Sequence, residues 1–346
     1  MSRSRERVYQ PRGQACEGEG LEVRGLRVSL NVAREDPVGL IDYVDLSLAP
    51  ARRLALVGES GSGKSLTATA LVGLVDPPLS YSAEVMRLDG VDLLAQSPRQ
   101  WRRVRGRLVA MVQQDPLSAL SPVFSAGTQI AEVYQTPGLT RKEAWERAVE
   151  QMREVGIPDA AHRSHDYPHQ LSGGLRQRVA IAIALASEPT LMIADEPTTA
   201  LDVTVQSQIM ELLTTLSEQR GMSIIFITHD LGIVPGFAHE LAVMYAGRIV
   251  ETGDADTVLA RPRHPYTAAL IASQPGLEPS SRKRRLPTIA GYPPLPKARP
   301  PGCAFAPRCP LALELCRQVT PPLRLVDGRM TACHRAEETA LSGARP

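Results

Sequence analysis

The sequence predicts an α/β fold whose core is a set of buried, mainly parallel strands. Three observations predict it. The apolar run Leu54-Ala55-Leu56-Val57 is followed by a glycine-rich bend and then by helical spacing from Leu66 to Gly73. A second apolar run, Leu191-Met192-Ile193-Ala194, ends in two acids, Asp195 and Glu196. A third, Ser223 to Thr228, ends in His229-Asp230. Strands that deliver polar residues at their carboxyl ends are the arrangement of an open α/β sheet, where ligands sit at those ends.

Taken in chain order, residues 1–20 are charged and polar, without the apolar core of a secretion signal, and read as a disordered arm. Residues 21–115 read as the first part of the core, with an antiparallel strand layer around Leu26 to Val32 and Val44 to Leu48.

The bend at 58–65 is Gly58-Glu59-Ser60-Gly61-Ser62-Gly63-Lys64-Ser65, a phosphate-binding loop of the form G-x-x-x-x-G-K-[ST]. Its glycines let successive N–H groups point at phosphate oxygens. The helix that begins near Lys64 and runs on through Leu66 aims its positive end at the same anion. The chain has four lysines against thirty-five arginines, and one of the four stands where such a loop requires it. Lys64 is expected to reach the β- and γ-phosphates of a nucleoside triphosphate, and Ser65 to ligate Mg²⁺.

Residues 116–187 read as an inserted helical region. Its amphipathic stretch, Arg141 to Val155, places Ala144, Trp145, Ala148, Met152 and Val155 on one face as core residues. At its end Ser172 is expected to cap a helix carrying Leu175, Val179, Ile183 and Ala186. Gly173 and Gly174 at that helix start make a second anion site. Two anion sites in one chain suggest that two chains close on one nucleotide.

Asp195 is expected to hold Mg²⁺ and Glu196 to polarise the attacking water. His229 faces the same crevice, as a γ-phosphate donor or as a simple strand cap. The core ends in a hairpin-like run, Val243 to Val250. The prolines of 275–301 read as an extended linker, and Arg282-Lys-Arg-Arg285 as a solvated basic face.

Beyond the linker, Cys303, Cys309, Cys316 and Cys333 follow C-x5-C-x6-C-x16-C, with a helix-like run from Leu311 to Leu315. Four soft ligands in so small a segment suit an iron–sulfur cluster or tetrahedral zinc, with His334 a further zinc candidate; four free thiols are the remaining reading. The spacing lacks the paired knuckles of structural zinc. Cys16 stands apart in the N-terminal arm.

Composition sets outer bounds. The length suits about two domains, and 43% apolar residues suffice for a core. A net charge of +2 leaves no global nucleic-acid footprint. The longest apolar run, Val179 to Ala186, falls short of a membrane span. A chain that is cytosolic, or bound to a membrane only through partners, is therefore expected, with cysteines that are reduced thiols or metal ligands.

Taken together, these motifs resemble an ATP-binding cassette ATPase, from about Leu21 to His334. The resemblance implies a P-loop NTPase of RecA-like core with an antiparallel β layer and an inserted α-helical subdomain, followed by a small Cys-containing extension. Leu171-Ser172-Gly173-Gly174 is similar to the signature, and Gln114, in Met111-Val-Gln-Gln-Asp-Pro116, to the Q-loop glutamine that also joins the Mg²⁺ shell; Gln113 is the weaker alternative. Ala200-Leu201-Asp202 is similar to the D-loop and His229 to the switch histidine. The resemblance implies two cassettes sandwiching two ATPs, each between one chain's phosphate loop and the other's Ser172 and Gly174.

Tyr167-Pro-His-Gln-Leu-Ser-Gly-Gly, Arg263-His-Pro-Tyr-Thr-Ala-Ala-Leu270 and Gly302-Cys-Ala-Phe-Ala-Pro-Arg-Cys-Pro310 are similar to oligopeptide and dipeptide permease ATP-binding subunits. Domain bounds follow: arm 1–20, cassette 21–274, linker and four-cysteine extension 275–346. The resemblance further implies two transmembrane permease subunits, contacted by a groove near Gln114, and a second ATPase subunit. An extracytoplasmic binding protein acts indirectly, nucleic acid is not a partner, and the location is the cytoplasmic face of the membrane. It also implies a [4Fe-4S] cluster on the four cysteines. A nickel or metal-complex importer is the alternative, and a non-transport cassette ATPase a more distant one. Two departures stand out. No aromatic lies between Tyr9 and Tyr43 to stack on adenine, so Val32 or a neighbour is expected there. Arg52-Arg53 replaces the usual Gly-Glu.

Overall fold

The computed structural model describes residues 19–135, 139–199, 201–274 and 288–338. Most of the N-terminal arm with Cys16, Ala200, and the basic run 282–285 lie outside the described residues.

Two sheets carry the fold. The smaller is antiparallel: Leu21–Leu30 pairs with Val38–Leu48 on one side and with Leu79–Ser82 and Val85–Leu88 on the other. Leu21 and Val23 are buried, and after an irregularity in the register Leu26 and Val28 are buried too, as expected for a sheet packed on one face. Val32 lies in the turn beyond it, its carbonyl accepting from Glu35 N–H at 3.2 Å.

The larger sheet has eight strands. Its parallel heart runs Glu240–Tyr245, Arg53–Val57, Ser223–Thr228, Leu191–Asp195 and Val109–Val112. All residues of Arg53–Val57, Leu191–Asp195 and Ser223–Thr228 are buried, because helices cover both faces. The order brings the carboxyl ends of all five strands to one edge. Val57, Asp195, Thr228 and Val112 end there, each followed directly by a candidate site residue.

Arg53 meets burial with hydrogen bonds. Its Nε donates to Phe237 C=O at 2.7 Å and its Nη1 meets Glu218 at 3.2 Å. Arg53 thus anchors the strand start, at the opposite end from the phosphate loop.

The helical region comprises Pro116–Ala119, Ala126–Val133, Arg141–Glu154, Ala160–Arg163 and Gly173–Leu185. Thr140 and Glu143 form a capping box on the amphipathic helix. Its expected face is buried: Ala144, Ala148, Met152 and Val155 at 1% exposure or less, with Trp145 partly buried beside them.

The C-terminal extension does not stand on a core of its own. Phe305 is 1% exposed and sits in the same cluster as Val57, Val243 and Tyr245 of the parallel sheet. Arg324–Val326 and Arg329–Thr331 form a hairpin that adds to the sheet edge through Arg248–Asp254. The helix-like run expected at Leu311 to Leu315 begins later, as Glu314–Gln318. Leu313 is extended at ψ 167° and its N–H turns to Cys316 Sγ at 3.4 Å, so the chain enters the helix only after it. Among the described residues, no helix is long and apolar enough to cross a membrane.

Candidate functional site

The phosphate loop is the turn between the Arg53–Val57 strand and the Lys64–Leu71 helix. Gly63 takes φ +110°, and a Cβ there would lie 2.5 Å from Ile41 Cδ1. At Gly58 a Cβ would lie 2.2 Å from Met244 C=O. The loop is thus pressed against its neighbours, so only glycine fits. Ser62 N–H donates to Glu59 C=O at 3.1 Å, and Ser62 C=O accepts from Gly247 N–H at 2.8 Å. Gly61 lies at φ +77° with open space beside it, and Ser60 stands next to it in the exposed turn.

Lys64 is 5% exposed and folds back on its own loop, donating to Gly58 C=O at 2.8 Å and Glu59 C=O at 3.1 Å. Burial lowers its pKa, opposed by Glu196, Asp195 and Glu59 nearby. These carbonyl bonds hold the ammonium against its own loop. Ser65 Oγ donates to Asp195 Oδ1 at 3.0 Å, so the two expected Mg²⁺ ligands already touch. Burial raises the Asp195 pKa. Leu66 packs partly buried against the core between the two sheets.

Glu196 follows at φ +46°, an uncommon conformation for a non-glycine residue. Its N–H donates to Ile227 C=O at 2.9 Å, which tethers it to the neighbouring strand. Three groups meet its Oε2: Gln114 Nε2 at 3.1 Å, Thr199 Oγ1 at 3.1 Å and His229 Nδ1 at 3.2 Å. The structure therefore brings Gln114, Asp195, Glu196, His229, Lys64 and Ser65 to one crevice from four strand ends. Gln114, not Gln113, makes the contact; Gln113 lines a separate groove. Thr199 was not anticipated. His229 is the most open member, 60% exposed at its side chain against 15% for Glu196.

The signature residues lie elsewhere. Ser172 Oγ caps the Gly173–Leu185 helix, accepting from Leu175 N–H at 3.4 Å. Ser172 and Gly173 are exposed. A Cβ on Gly174 would lie 2.7 Å from Val205 Cγ1, which seats the signature on the Val203–Arg220 helix. Asp202 caps that helix, its Oδ1 accepting from Val205 N–H at 2.9 Å. Ser172, Gly173, Gly174 and Asp202 thus sit together at the starts of two helices packed on each other.

A groove of about 410 Å³ opens between the cassette core and the helical region, lined by Val72, Arg105, Gln113, Leu120 and Ile183 among others.

Cys303, Cys309, Cys316 and Cys333 line one small cavity together with His264 and His334. All four are free thiols, and burial raises the pKa of Cys303, Cys309 and Cys333. Among the described residues, no group of three or more His, Cys, Asp or Glu is arranged to hold a metal ion. The tail is thus a pocket ringed by four thiols. His334 Nε2 lies 2.9 Å from Val319 C=O, which leaves Nδ1 as the ring nitrogen open to a metal.

Sequence reasoning passed over Arg308 and Glu59. The Arg308 guanidinium grips Glu59 of the phosphate loop with two parallel bonds, Nη1 to Oε2 at 2.7 Å and Nη2 to Oε1 at 2.9 Å. Nothing in their spacing marks the pair, since 249 positions separate them.

Residues 41–199 match the family model described as ABC transporter, and 250–316 the model described as oligopeptide/dipeptide transporter, C-terminal region. The chain is 46% identical over 315 residues to the dipeptide transport ATP-binding protein DppD of Haemophilus influenzae, covering 91% of this chain and 94% of that protein. The Escherichia coli protein of the same name is 46% identical over 300 residues, 86% and 91% of the two chains. Among solved structures, the ATP-binding cassette MJ0796, dimeric and bound to ADP and phosphate after hydrolysis, superposes with a TM-score of 0.61 at 25% identity. That match covers 68% of this chain and 98% of the other. With the phosphate loop, the acid pair and the signature all in position, the chain belongs to the ABC transporter family of ATP-binding proteins.

Proposed function

We propose that this chain is the ATP-hydrolysing subunit of an ABC importer of oligopeptides or dipeptides. The observation that carries the hydrolytic reading is the convergence on Glu196 Oε2, beside a phosphate loop whose Ser65 touches Asp195. The matching C-terminal region and the dipeptide-transport relatives support the peptide substrate class over the nickel or metal-complex alternative.

In this reading Lys64 releases its loop carbonyls and turns to the β- and γ-phosphates. Ser65, Asp195 and Gln114 hold Mg²⁺, which offsets charge on the phosphate oxygens when bound. Glu196 takes a proton from the attacking water, and His229 donates to the γ-phosphate. Ser172 and Gly174 contact the triphosphate held by a second ATPase subunit, a paralogous partner or another copy. The exposure of Ser172 and Gly173 at a helix start supports that division of labour. Asp202 lies on the same surface as the signature. Closure of such a sandwich shifts a two-state equilibrium through contacts made only in one state. The groove near Gln113 then passes the motion to two transmembrane permease subunits on the cytoplasmic face of the membrane, with an extracytoplasmic binding protein acting upstream. The proposed units are a cassette over 21–274, with its helical part at about 116–187, and a four-cysteine extension within 275–346.

The four-thiol cavity supports a bound [4Fe-4S] cluster held by Cys303, Cys309, Cys316 and Cys333; thiolate sulfur is the donor such clusters require. Iron and acid-labile sulfide in anaerobically purified protein, absent from Cys309→Ser, test it. Measured ATP turnover by the reconstituted transporter, with dipeptide uptake lost in Glu196→Gln, tests the main reading; uptake of nickel in place of peptide would overturn the substrate assignment.

A further inference from the structure

Arg308 belongs to no nucleotide motif and precedes Cys309 in the tail. Its side chain is 5% exposed and fully committed. Beyond the two bonds to Glu59, Nε donates to Ala290 C=O at 2.9 Å, Nη2 to Ile289 C=O at 3.3 Å and Nη1 to the Tyr245 hydroxyl at 3.3 Å. A planar guanidinium held this way is a rigid strut, because the fork geometry leaves one orientation. Phe305 locks its base, packing edge-on to Tyr245 with centroids 5.3 Å apart.

At the other end of the strut, Glu59 is the second residue of the phosphate loop. Its N–H donates to the Tyr266 hydroxyl at 2.8 Å. Its C=O receives both Ser62 N–H and Lys64 Nζ at 3.1 Å. Every polar group of Glu59 is thus engaged, and two of its partners, Arg308 and Tyr266, come from beyond the parallel sheet. A carboxylate in an anion-binding loop would repel a polyphosphate at close range. Here it is paired with a cation and turned toward the tail.

We propose that Arg308 is a positioning residue for nucleotide binding: it neutralises Glu59 and fixes the first turn of the phosphate loop, so that the C-terminal tail sets the affinity for ATP. The proposal rests on the ATPase reading above. It makes the tail an integral support of the nucleotide site.

The test uses the full chain with Arg308→Gln, Glu59→Gln and the double variant. MgATP dissociation constants come from titration against a fluorescent nucleotide, and KM and kcat from steady-state turnover. Arg308→Gln leaves Glu59 unpaired beside the phosphates; its affinity is expected to fall about tenfold, with KM rising and kcat within about twofold of the parent. Glu59→Gln removes strut and repulsion together and is expected to lose only about threefold. The double variant is expected to recover most of the Arg308→Gln loss, because the two groups are in direct contact, while a KM rise at near-parent kcat is the readout a purely structural role would not give. Unchanged affinity in Arg308→Gln, or a double variant as weak as Arg308→Gln alone, overturns the proposal. Should Arg308→Gln fail to fold, Arg308→Lys decides, since it keeps the charge and loses the fork; wild-type affinity there overturns the positioning role. A parent chain that does not bind MgATP would overturn the ATPase reading itself.

Discussion

Gln114 Nε2 donates to Glu196 Oε2 at 3.1 Å, closing a link between the end of the Val109–Val112 strand and the end of Leu191–Asp195. The same oxygen faces His229 Nδ1 at 3.2 Å. Thr199 Oγ1 is the third neighbour of that oxygen, at 3.1 Å.

Glu196→Gln therefore keeps a side-chain oxygen for Gln114 to meet but removes the base. ATP hydrolysis is expected to fall by about a hundredfold or more while MgATP binding stays near the parent value. Phosphate release and nucleotide retention measure the two. Hydrolysis at the parent rate would remove Glu196 from the proposed role.

Gly174→Ala places a methyl 2.7 Å from Val205 Cγ1. The signature must shift off the Val203–Arg220 helix. Turnover is expected to drop about tenfold, with ATP affinity of the isolated chain unchanged, because the binding loop lies at a different crevice. Parallel measurements of affinity and turnover check this; a matching loss of affinity would place the signature in the same chain's site.

Phe305→Ala empties a fully buried ring site between Tyr245 and Tyr266. The cost is expected to be ~3–5 kcal/mol. Calorimetry should report the main transition moving down, since the ring belongs to the cassette's cluster. An unchanged main transition, with a separate low-temperature event for the tail, would contradict this packing.

His264 is 1% exposed and its Nδ1 accepts from Tyr266 N–H at 3.0 Å. Burial depresses its pKa from 6.5 to about 3. The unfolded chain therefore binds a proton here between those values while the folded chain does not. The stabilisation is complete above pH 6.5 and is lost as pH falls toward 3. His264→Asn retains an acceptor for Tyr266 N–H and cannot be protonated. Its melting temperature is expected to fall less steeply between pH 6.5 and pH 4 than that of the parent; equal slopes would refute the assignment.

Much of the site was legible in local patterns. Gly58 to Ser65 is a contiguous motif whose glycine demand is local, and the structure supplies the close contacts at Gly58 and Gly63. Asp195, Glu196 and His229 could be found because each ends an apolar run, and a strand end is a position that alternation and length reveal. Gln114 over Gln113 depended on how the chain leaves its strand. Thr199 is a lone hydroxyl in a turn, and no pattern distinguishes it. The helix start in the cysteine tail was misplaced by three residues, because the extended Leu313 and its N–H bond to Cys316 Sγ have no sequence periodicity.

The sequence by itself determined the phosphate loop, the helix caps and the parallel core, because loops, strand ends and caps are built from neighbours in the chain. The tertiary structure alone decided that the tail joins the cassette. Arg308 reaches Glu59 across 249 positions. That contact exists only because Phe305 finds its apolar site beneath Tyr245 and Tyr266, and the burial of one ring is a property of the assembled core and of no local pattern.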